Sequence, residues 1–251
     1  ISIVVPMHNE QAIADRCIRS LRELDYPNLE IVIACDRCTD DTDQIADTHA
    51  AQDVRIKAVH VREAREDWIG KTNPMHVGSQ EATGDWVLFI DADVQMRPTI
   101  LKAAVLMAME RKCDLLTILP QLRYEKSWEI EAQAPAGFVL MQWFQPTKVN
   151  DPNCRRSFAT GQFMMVRREL FERMGRISAF GHLFQEDIWM ARTVYRHGGR
   201  LCLASSGGQL HCQMYETDED FNEGWKRIYI GVVNRRVSRL KQAGLLRMFH
   251  G

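Results

Sequence analysis

Asp91 and Asp93 stand one residue apart at the end of an apolar run that starts at Gly84 and carries Trp86, Val87, Leu88, Phe89 and Ile90. Two carboxylates that close repel each other unless a cation lies between them and a ligand. Oxygen donors of this kind suit Mg²⁺ or Mn²⁺, with phosphate oxygens completing the shell. An Asp-rich turn after a strand accounts for the same pair without any chemistry. Two more acidic loops follow apolar runs: Asn9 and Glu10 after Pro6, and Asp36 with Asp40 further on. If all three leave the C-terminal ends of parallel strands they face one crevice. A nucleotide diphosphate fits such a crevice, because carboxylates accept from base or ribose while a metal at Asp91 and Asp93 neutralises the diphosphate. Neither a G-x-G-x-x-G after the first apolar run nor a G-x-x-x-x-G-K-[ST] occurs, which argues against a dinucleotide oxidoreductase or a P-loop hydrolase. Gly70 and Lys71 are a fragment of the second pattern only.

The elements that must position these residues read as alternating strands and helices. Strands are expected at 1–5, 29–35, 54–61 and 84–90, with a fifth at 115–119. Between them fall helical patterns. One buries Ile13, Cys17, Leu21 and Leu24, a second runs through Ile45 to Ala50, a third ends near Ala82, and a fourth spans 100–109 behind Pro98. This alternation predicts one α/β domain with a mostly parallel central sheet, right-handed crossovers and flanking helices. The regularity stops after Leu119. Residues 124–144 are aromatic and interrupted by Pro135 and Gly137, and a polar loop at 149–153 is followed by Arg155 and Arg156; this reads as acceptor-side structure. A strand is expected to resume over 158–166, then a short helix at 168–174. Glu186 and Asp187 open a helix to about His197, where acids also suit the dipole. A late strand at 201–204 and a late helix at 221–233 complete the pattern.

The chain has 251 residues, 45% hydrophobic and 26% charged, with net charge −1. That is enough to bury one large core, and it offers no global basic field for nucleic acid. Seven scattered cysteines, with only Cys35 and Cys38 closely spaced and no second pair at zinc-finger spacing, suggest a reducing compartment. No run approaches a membrane span. Because the first residues already read as a core strand, the chain is expected to be an excised domain.

In order, Ile3-Val4-Val5-Pro6 with Asn9-Glu10, Asp36 with Thr39-Asp40 and Thr42, Asp91-Ala92-Asp93, Gly161-Gln162 and Glu186-Asp187 resemble the motifs of a family 2 glycosyltransferase of GT-A fold. The likeness covers nearly the whole chain. Trp68-Ile69-Gly70-Lys71, Val149 to Pro152, Thr160 to Gln162 and Glu186 to Ile188 are closest to hopanoid- and carotenoid-associated, ceramide-glucosyltransferase-like members. The resemblance implies that Pro6, Asn9 and Glu10 line the nucleotide pocket. It puts Asp36 at the uracil or ribose and Lys71 near the donor. Asp93 then ligates the metal, with Ala92 beside it and Asp91 on the ribose or on the metal through water, and Asp187, next to Glu186, is the general base. Gly161 and Gln162 fall on the acceptor side. The halves would be 1–119 for the nucleotide sugar and 120–233 for acceptor and catalysis.

Three assignments stay open at this point. The processive Gln-x-x-Arg-Trp signature is absent, which implies transfer of a single sugar. Lys226 and Arg227 stand in its region and either contact the diphosphate or form a solvated helix face. His211 is a third metal ligand or a hydrogen-bonded structural group. Trp128, Trp143, Phe144 and Trp189 floor an apolar acceptor site or simply pack. Cys38 stands where the family often has serine, which makes the Cys35 and Cys38 spacing accidental.

The expected reaction is metal-dependent transfer from a UDP-sugar to a lipid or lipid-linked hydroxyl, with inversion, at the cytoplasmic face of a membrane. Residues 234–251, with Arg235, Arg236, Arg239, Lys241 and Arg247 among apolar side chains and no acid, form a basic amphipathic tail suited to a membrane surface. A nucleotidyltransferase is the rival enzyme, but its basic glycine-rich loop is missing. A non-catalytic sugar-nucleotide-binding domain is the other rival, and the presence of both Asp93 and Asp187 weighs against it.

Overall fold

A computed structural model of the chain describes residues 1–124, 126–151, 153–154, 156–214 and 217–232. At its centre lies β1 (Ser2–Met7), every residue of which is buried. It pairs in parallel with β2 (Glu30–Asp36) on one side and β4 (Trp86–Phe89) on the other, and β3 (Ile56–Val61) extends the sheet beyond β2. β1, β2 and β4 show no apolar–polar alternation because both faces are covered, whereas β3 at the sheet edge carries the exposed Lys57. Ile3, Val5 and Met7 pack with α1 (Ala14–Arg22), α2 (Thr42–Gln52) and α4 (Ile100–Glu110), while Val4 packs on the other face with α3 (Thr72–Glu81), α6 (Arg168–Arg173) and α7 (Glu186–Arg196). The result is helix, sheet, helix in three layers.

The sheet is mixed, with four parallel and two antiparallel pairings where a mostly parallel one was expected. Its order is β3-β2-β1-β4-β8-β6-β9, with β6 at Leu115–Leu119, β8 at Met164–Arg167 and β9 at Leu201–Ser205. β8 runs antiparallel to both β4 and β6. An apolar run buried on two faces looks the same in either direction, so its sequence could not give its sense. A second, three-stranded sheet joins β5 (Val94–Met96), β10 (Leu210–Cys212) and β7 (Gln121–Leu122). Such short strands fall below any periodic signal.

α5 (Ser127–Phe144) continues through Pro135, where an interruption was expected. Both Pro135 and Glu131, whose carbonyl loses its partner, lie on the exposed side, where water can serve that carbonyl. α8 (Asp218–Val232) docks on it, with the Tyr229 hydroxyl donating to the Ala136 carbonyl at 3.0 Å. Among the described residues no helix is long and apolar enough to cross a membrane. Residues 234–251 lie outside the described residues, as do Arg155 and the side chain of Trp143.

The cysteines do not all remain thiols, which pulls against the reading of a reducing compartment. Cys113 and Cys202 form a disulfide with Cα atoms 5.8 Å apart. Cys113 enters β6 and Cys202 lies on the neighbouring β9, so strand pairing brings together residues 89 apart in sequence.

Candidate active site

Each strand end delivers one loop to the same sheet edge. After β1 the chain reaches Asn9 in a left-handed conformation (φ 56°), and its side-chain oxygen accepts from the Thr39 amide at 2.8 Å, tying the first loop to the second. Asp40 accepts from the Gln11 amide and the Thr42 hydroxyl, and that hydroxyl oxygen takes the Glu10 amide at 2.8 Å. Asp36, buried at the end of β2, is gripped by its neighbour: Arg37 Nε and Nη2 donate to its two oxygens at 2.9 and 2.7 Å. Arg37 adopts φ 48°, which folds its side chain back onto Asp36.

A cavity of about 700 Å³ opens over these loops. It is lined by Pro6, Asn9, Glu10, Asp36, Lys71, Asp91, Ala92 and Asp93, all the residues expected on the donor side, together with Arg37, Arg65, Trp68 and Asp220. A second cavity, also about 700 Å³, is lined by Gly161, Gln162, Glu186 and Asp187, by Arg227, and by apolar groups including Leu122, Leu140, Met141, Phe144 and Trp225. Lys71, Asp91 and Asp93 belong to both. The acceptor-side expectation for Phe144 therefore coincides with a cavity wall. Trp128 packs on Phe221, and Trp189 lies beneath the guanidinium groups of Arg192 and Arg196.

Where the cavities meet, Lys71 bridges two acids. Its ammonium binds Asp91 and lies 2.8 Å from Glu186 Oε1. Burial pulls the lysine pKa down, but Asp91 and Glu186 together outweigh it and hold the ammonium charged well above its ordinary range. The partners of these two acids are left without a cation. Asp93 is pushed up to about 7, by burial first and then by Asp91. Asp187 is also pushed up to about 7, by burial and then by Glu186. Glu10 is raised by burial, Asp91 and Asp40.

Asp93 meets the requirements of a divalent-cation ligand. Its Oδ1 is buried with no hydrogen-bond partner, its Oδ2 takes only a thiol hydrogen bond from Cys212 at 3.2 Å, and Asp91 and Glu10 add negative charge nearby. An all-oxygen donor set fits Mg²⁺ or Mn²⁺.

The glycines of this region are set by close approach. A Cβ on Gly161 would lie 2.8 Å from Lys71 Nζ and 3.0 Å from Asp91 Oδ2, so only glycine lets the acceptor loop reach the ion pair unimpeded. A Cβ on Gly181 would meet the Trp68 ring at 2.6 Å. The Gly181 carbonyl also takes the Ile69 amide and the Thr72 hydroxyl, fastening the loop before Lys71 to the segment before α7.

Two expected residues are placed elsewhere. His211 lines neither cavity, because alternation along β10 turns it away from the face on which Cys212 reaches Asp93; burial, Arg123 and Arg97 lower its pKa. Lys226 pairs with Glu223 on the surface at 2.5 Å and also lines neither cavity. Sequence reasoning missed Arg37, Cys212 and Gln185. The last, at φ 66°, donates to the Ile228 carbonyl at 3.1 Å and couples α8 to the start of α7. For Arg37 the available signal was a cation directly following a buried acid.

A strand-end carboxylate pair, a buried acid at a helix start and two joined cavities make up the site. The chain belongs to glycosyl transferase family 2, whose sequence profile matches residues 2–175. It is 23% identical over 208 residues to the uncharacterized glycosyltransferase EpsJ of Bacillus subtilis, covering 82% of this chain and 59% of that protein. The glycosyltransferase GlyG of Streptococcus pneumoniae is 21% identical over 254 residues, covering 98% of this chain and 82% of GlyG. Among solved structures, the mannosyltransferase PcManGT of Pyrobaculum calidifontis, in complex with GDP-Man and Mn²⁺, aligns with a TM-score of 0.69 at 19% identity, over 96% of this chain and 64% of that one. The shared fold is of the GT-A kind. This chain thus spans less than two thirds of EpsJ and of PcManGT.

Proposed function

We propose that the chain transfers a single sugar from a nucleotide diphosphate sugar to a hydroxyl of a lipid or lipid-linked acceptor, with inversion. The observation that carries this reading is the meeting of two cavities at Lys71, Asp91 and Asp93, one lined by carboxylates and the other largely apolar. Pro6, Asn9, Glu10 and Asp36 hold the nucleotide, with Arg37 fixing the Asp36 carboxylate. Asp93 and Asp91 would hold a divalent cation, which would supply positive charge for the departing diphosphate. Asp187 accepts the acceptor hydroxyl proton as that oxygen bonds to the anomeric carbon and the bond to the diphosphate breaks, its electron pair leaving with the diphosphate. A base titrating near 7 suits that task at neutral pH. Lys71 holds Asp91 and Glu186 close, joining donor to acceptor site.

The family motifs favour UDP, and PcManGT holds GDP-Man, so both nucleotides belong in the test. A screen of UDP- and GDP-sugars with and without Mn²⁺ is expected to show metal-dependent thermal stabilisation by one series. No stabilisation by either, and no turnover of labelled donor, would reject the reading. The hopanoid- and ceramide-like placement rests on the motifs alone; transfer to a polyisoprenoid or sphingolipid acceptor checks it.

Position on the cytoplasmic face of a membrane is part of the proposal, supported by the apolar second cavity and the basic sequence of residues 234–251. The Cys113–Cys202 bridge pulls against a reducing compartment. Thiol trapping in intact cells decides between them. Co-sedimentation with anionic liposomes, comparing the chain with one ending at residue 233, tests the tail.

A further inference from the structure

Away from both cavities, the outer end of the sheet gathers another set of donors. Cys35 on β2 and His60 on β3 are directly paired residues of adjacent parallel strands, so both side chains leave the same face, and α2 lays Asp43 over them. Cys35 Sγ, an Asp43 carboxylate oxygen and a His60 ring nitrogen all lie within 4.8 Å of one another. Cys38, on the loop between β2 and α2, feels the Asp43 carboxylate, but its thiol is turned to the carbonyls of Met7 and Asp36 at 3.7 and 3.9 Å. Burial and the Asp43 carboxylate keep its thiol protonated, and Cys38 and Asp43 act likewise on Cys35.

Two facts mark this cluster as incomplete. Asp43 Oδ1 and His60 Nδ1 are both buried and neither has a hydrogen-bond partner. They are 3.4 Å apart. His60 Nε2 meets Asp47 Oδ1 at 2.9 Å, and if the neutral ring donates there, Nδ1 presents a lone pair to the lone pairs of Asp43. Two lone pairs that close are unfavourable unless a cation lies between them. The second carboxylate oxygen of Asp43 is occupied by Arg62 Nη1 at 2.8 Å, which leaves Oδ1 as the free donor.

We propose that Cys35, Asp43 and His60 bind a zinc ion, distinct from the hard-cation site at Asp91 and Asp93. Sulfur and imidazole donors select Zn²⁺ over Mg²⁺, and a carboxylate on the far nitrogen of a ligating histidine is the usual outer support. Binding releases the Cys35 thiol proton to solvent. One thiolate, one carboxylate and the metal sum to zero charge, and Arg62 holds the second oxygen of Asp43. The ion fastens β2, β3 and α2 together at the base of the loop that carries Asp36 and Arg37, making it a structural brace for the donor cavity.

The test uses the full chain stripped with chelator and reloaded with Co²⁺ or Zn²⁺. Expected are tight uptake of one Zn²⁺ and, with Co²⁺, visible tetrahedral bands plus near-ultraviolet thiolate charge transfer. Cys35→Ser abolishes the charge transfer. Cys212→Ser, which alters the other site, leaves it intact. Because Cys35→Ser removes a core side chain, Asp47→Asn on the exposed side of α2 serves as a second variant. It keeps the fold, checked by circular dichroism, and weakens zinc about 10- to 100-fold. Failure of the folded wild-type chain to take up zinc overturns the proposal, as it would if a protonated His60 simply bridged the two aspartates. Charge transfer that survives Cys35→Ser or vanishes in Cys212→Ser, or zinc affinity unchanged by Asp47→Asn, overturns it too.

Discussion

Asp91 and Asp93 at the end of β4 and Glu186 and Asp187 at the start of α7 are built alike: one member of each pair is tied to Lys71, and its neighbour is buried and pushed up to about 7. They differ in what the untied acid meets. Asp93 faces a thiol and has an oxygen with no partner, whereas Asp187 Oδ1 takes the Ile188 amide at 2.7 Å. The first arrangement lacks a positive charge. The second has its ionised form supported by a backbone N–H and can exchange a proton without a metal. On the proposed reading, the same short lysine network serves a ligand on one side and a base on the other.

The strongest way to break this comparison is at the base. Asp187→Asn is expected to slow transfer by about 10²–10⁴ while calorimetric donor affinity stays near the parental value. Asp93→Ala should do the converse, lowering donor affinity by about tenfold or more, and chelation should reproduce that loss in the parent but add nothing in the variant. If the two substitutions give the same profile, the division of roles is wrong.

The raised acids also fix a pH response. The native chain holds protons on Asp93 and Asp187 up to about pH 7, whereas an unfolded Asp releases them near 4. Between those values the native state binds more protons, so metal-free stability falls as pH rises, by at most about 1.4 kcal/mol per pH unit for each group. Denaturation from pH 5 to 8 should show that fall, and Mn²⁺ should reverse it more at pH 8 than at pH 5. Asp93→Asn should flatten the metal-sensitive part only.

The smallest expected effect is at Gly161. Alanine there crowds Lys71 Nζ, the far end of a flexible side chain, so transfer should drop by about tenfold or less with little change in the unfolding midpoint. A larger loss would mean that the ion pair cannot give way.

The donor side was readable because its strands are covered on both faces and end in acids. Continuous apolar runs at β1, β2 and β4 marked the strands, and the first polar residue after each marked the crevice. The acceptor side was readable only through Gly161, Gln162, Glu186 and Asp187 as short motifs. Its frame depends on pairings that leave no periodic trace: the sense of β8, the two-residue β7 and the three-residue β5 and β10. Cys212 and His211 show the limit well, since a one-residue difference in a strand of unknown existence decides which of them reaches Asp93. The pairing of Cys113 with Cys202 needed the order of β6 and β9, which no spacing could supply. A thiol titration of the unfolded chain should find five groups before reduction and seven after.

That bridge also divides the molecule covalently. Gly161, Gln162, Glu186 and Asp187 lie inside the loop it closes, and Lys71, Asp91 and Asp93 lie outside. A protease that nicks the acceptor half once, anywhere between Cys113 and Cys202, therefore yields two fragments that still migrate as one band until a reductant is added. A nick between Asn9 and Asp93 releases its fragment at once under denaturing conditions. Paired gels with and without reductant can thus report which half of the site has opened, without labels and without knowing the substrate.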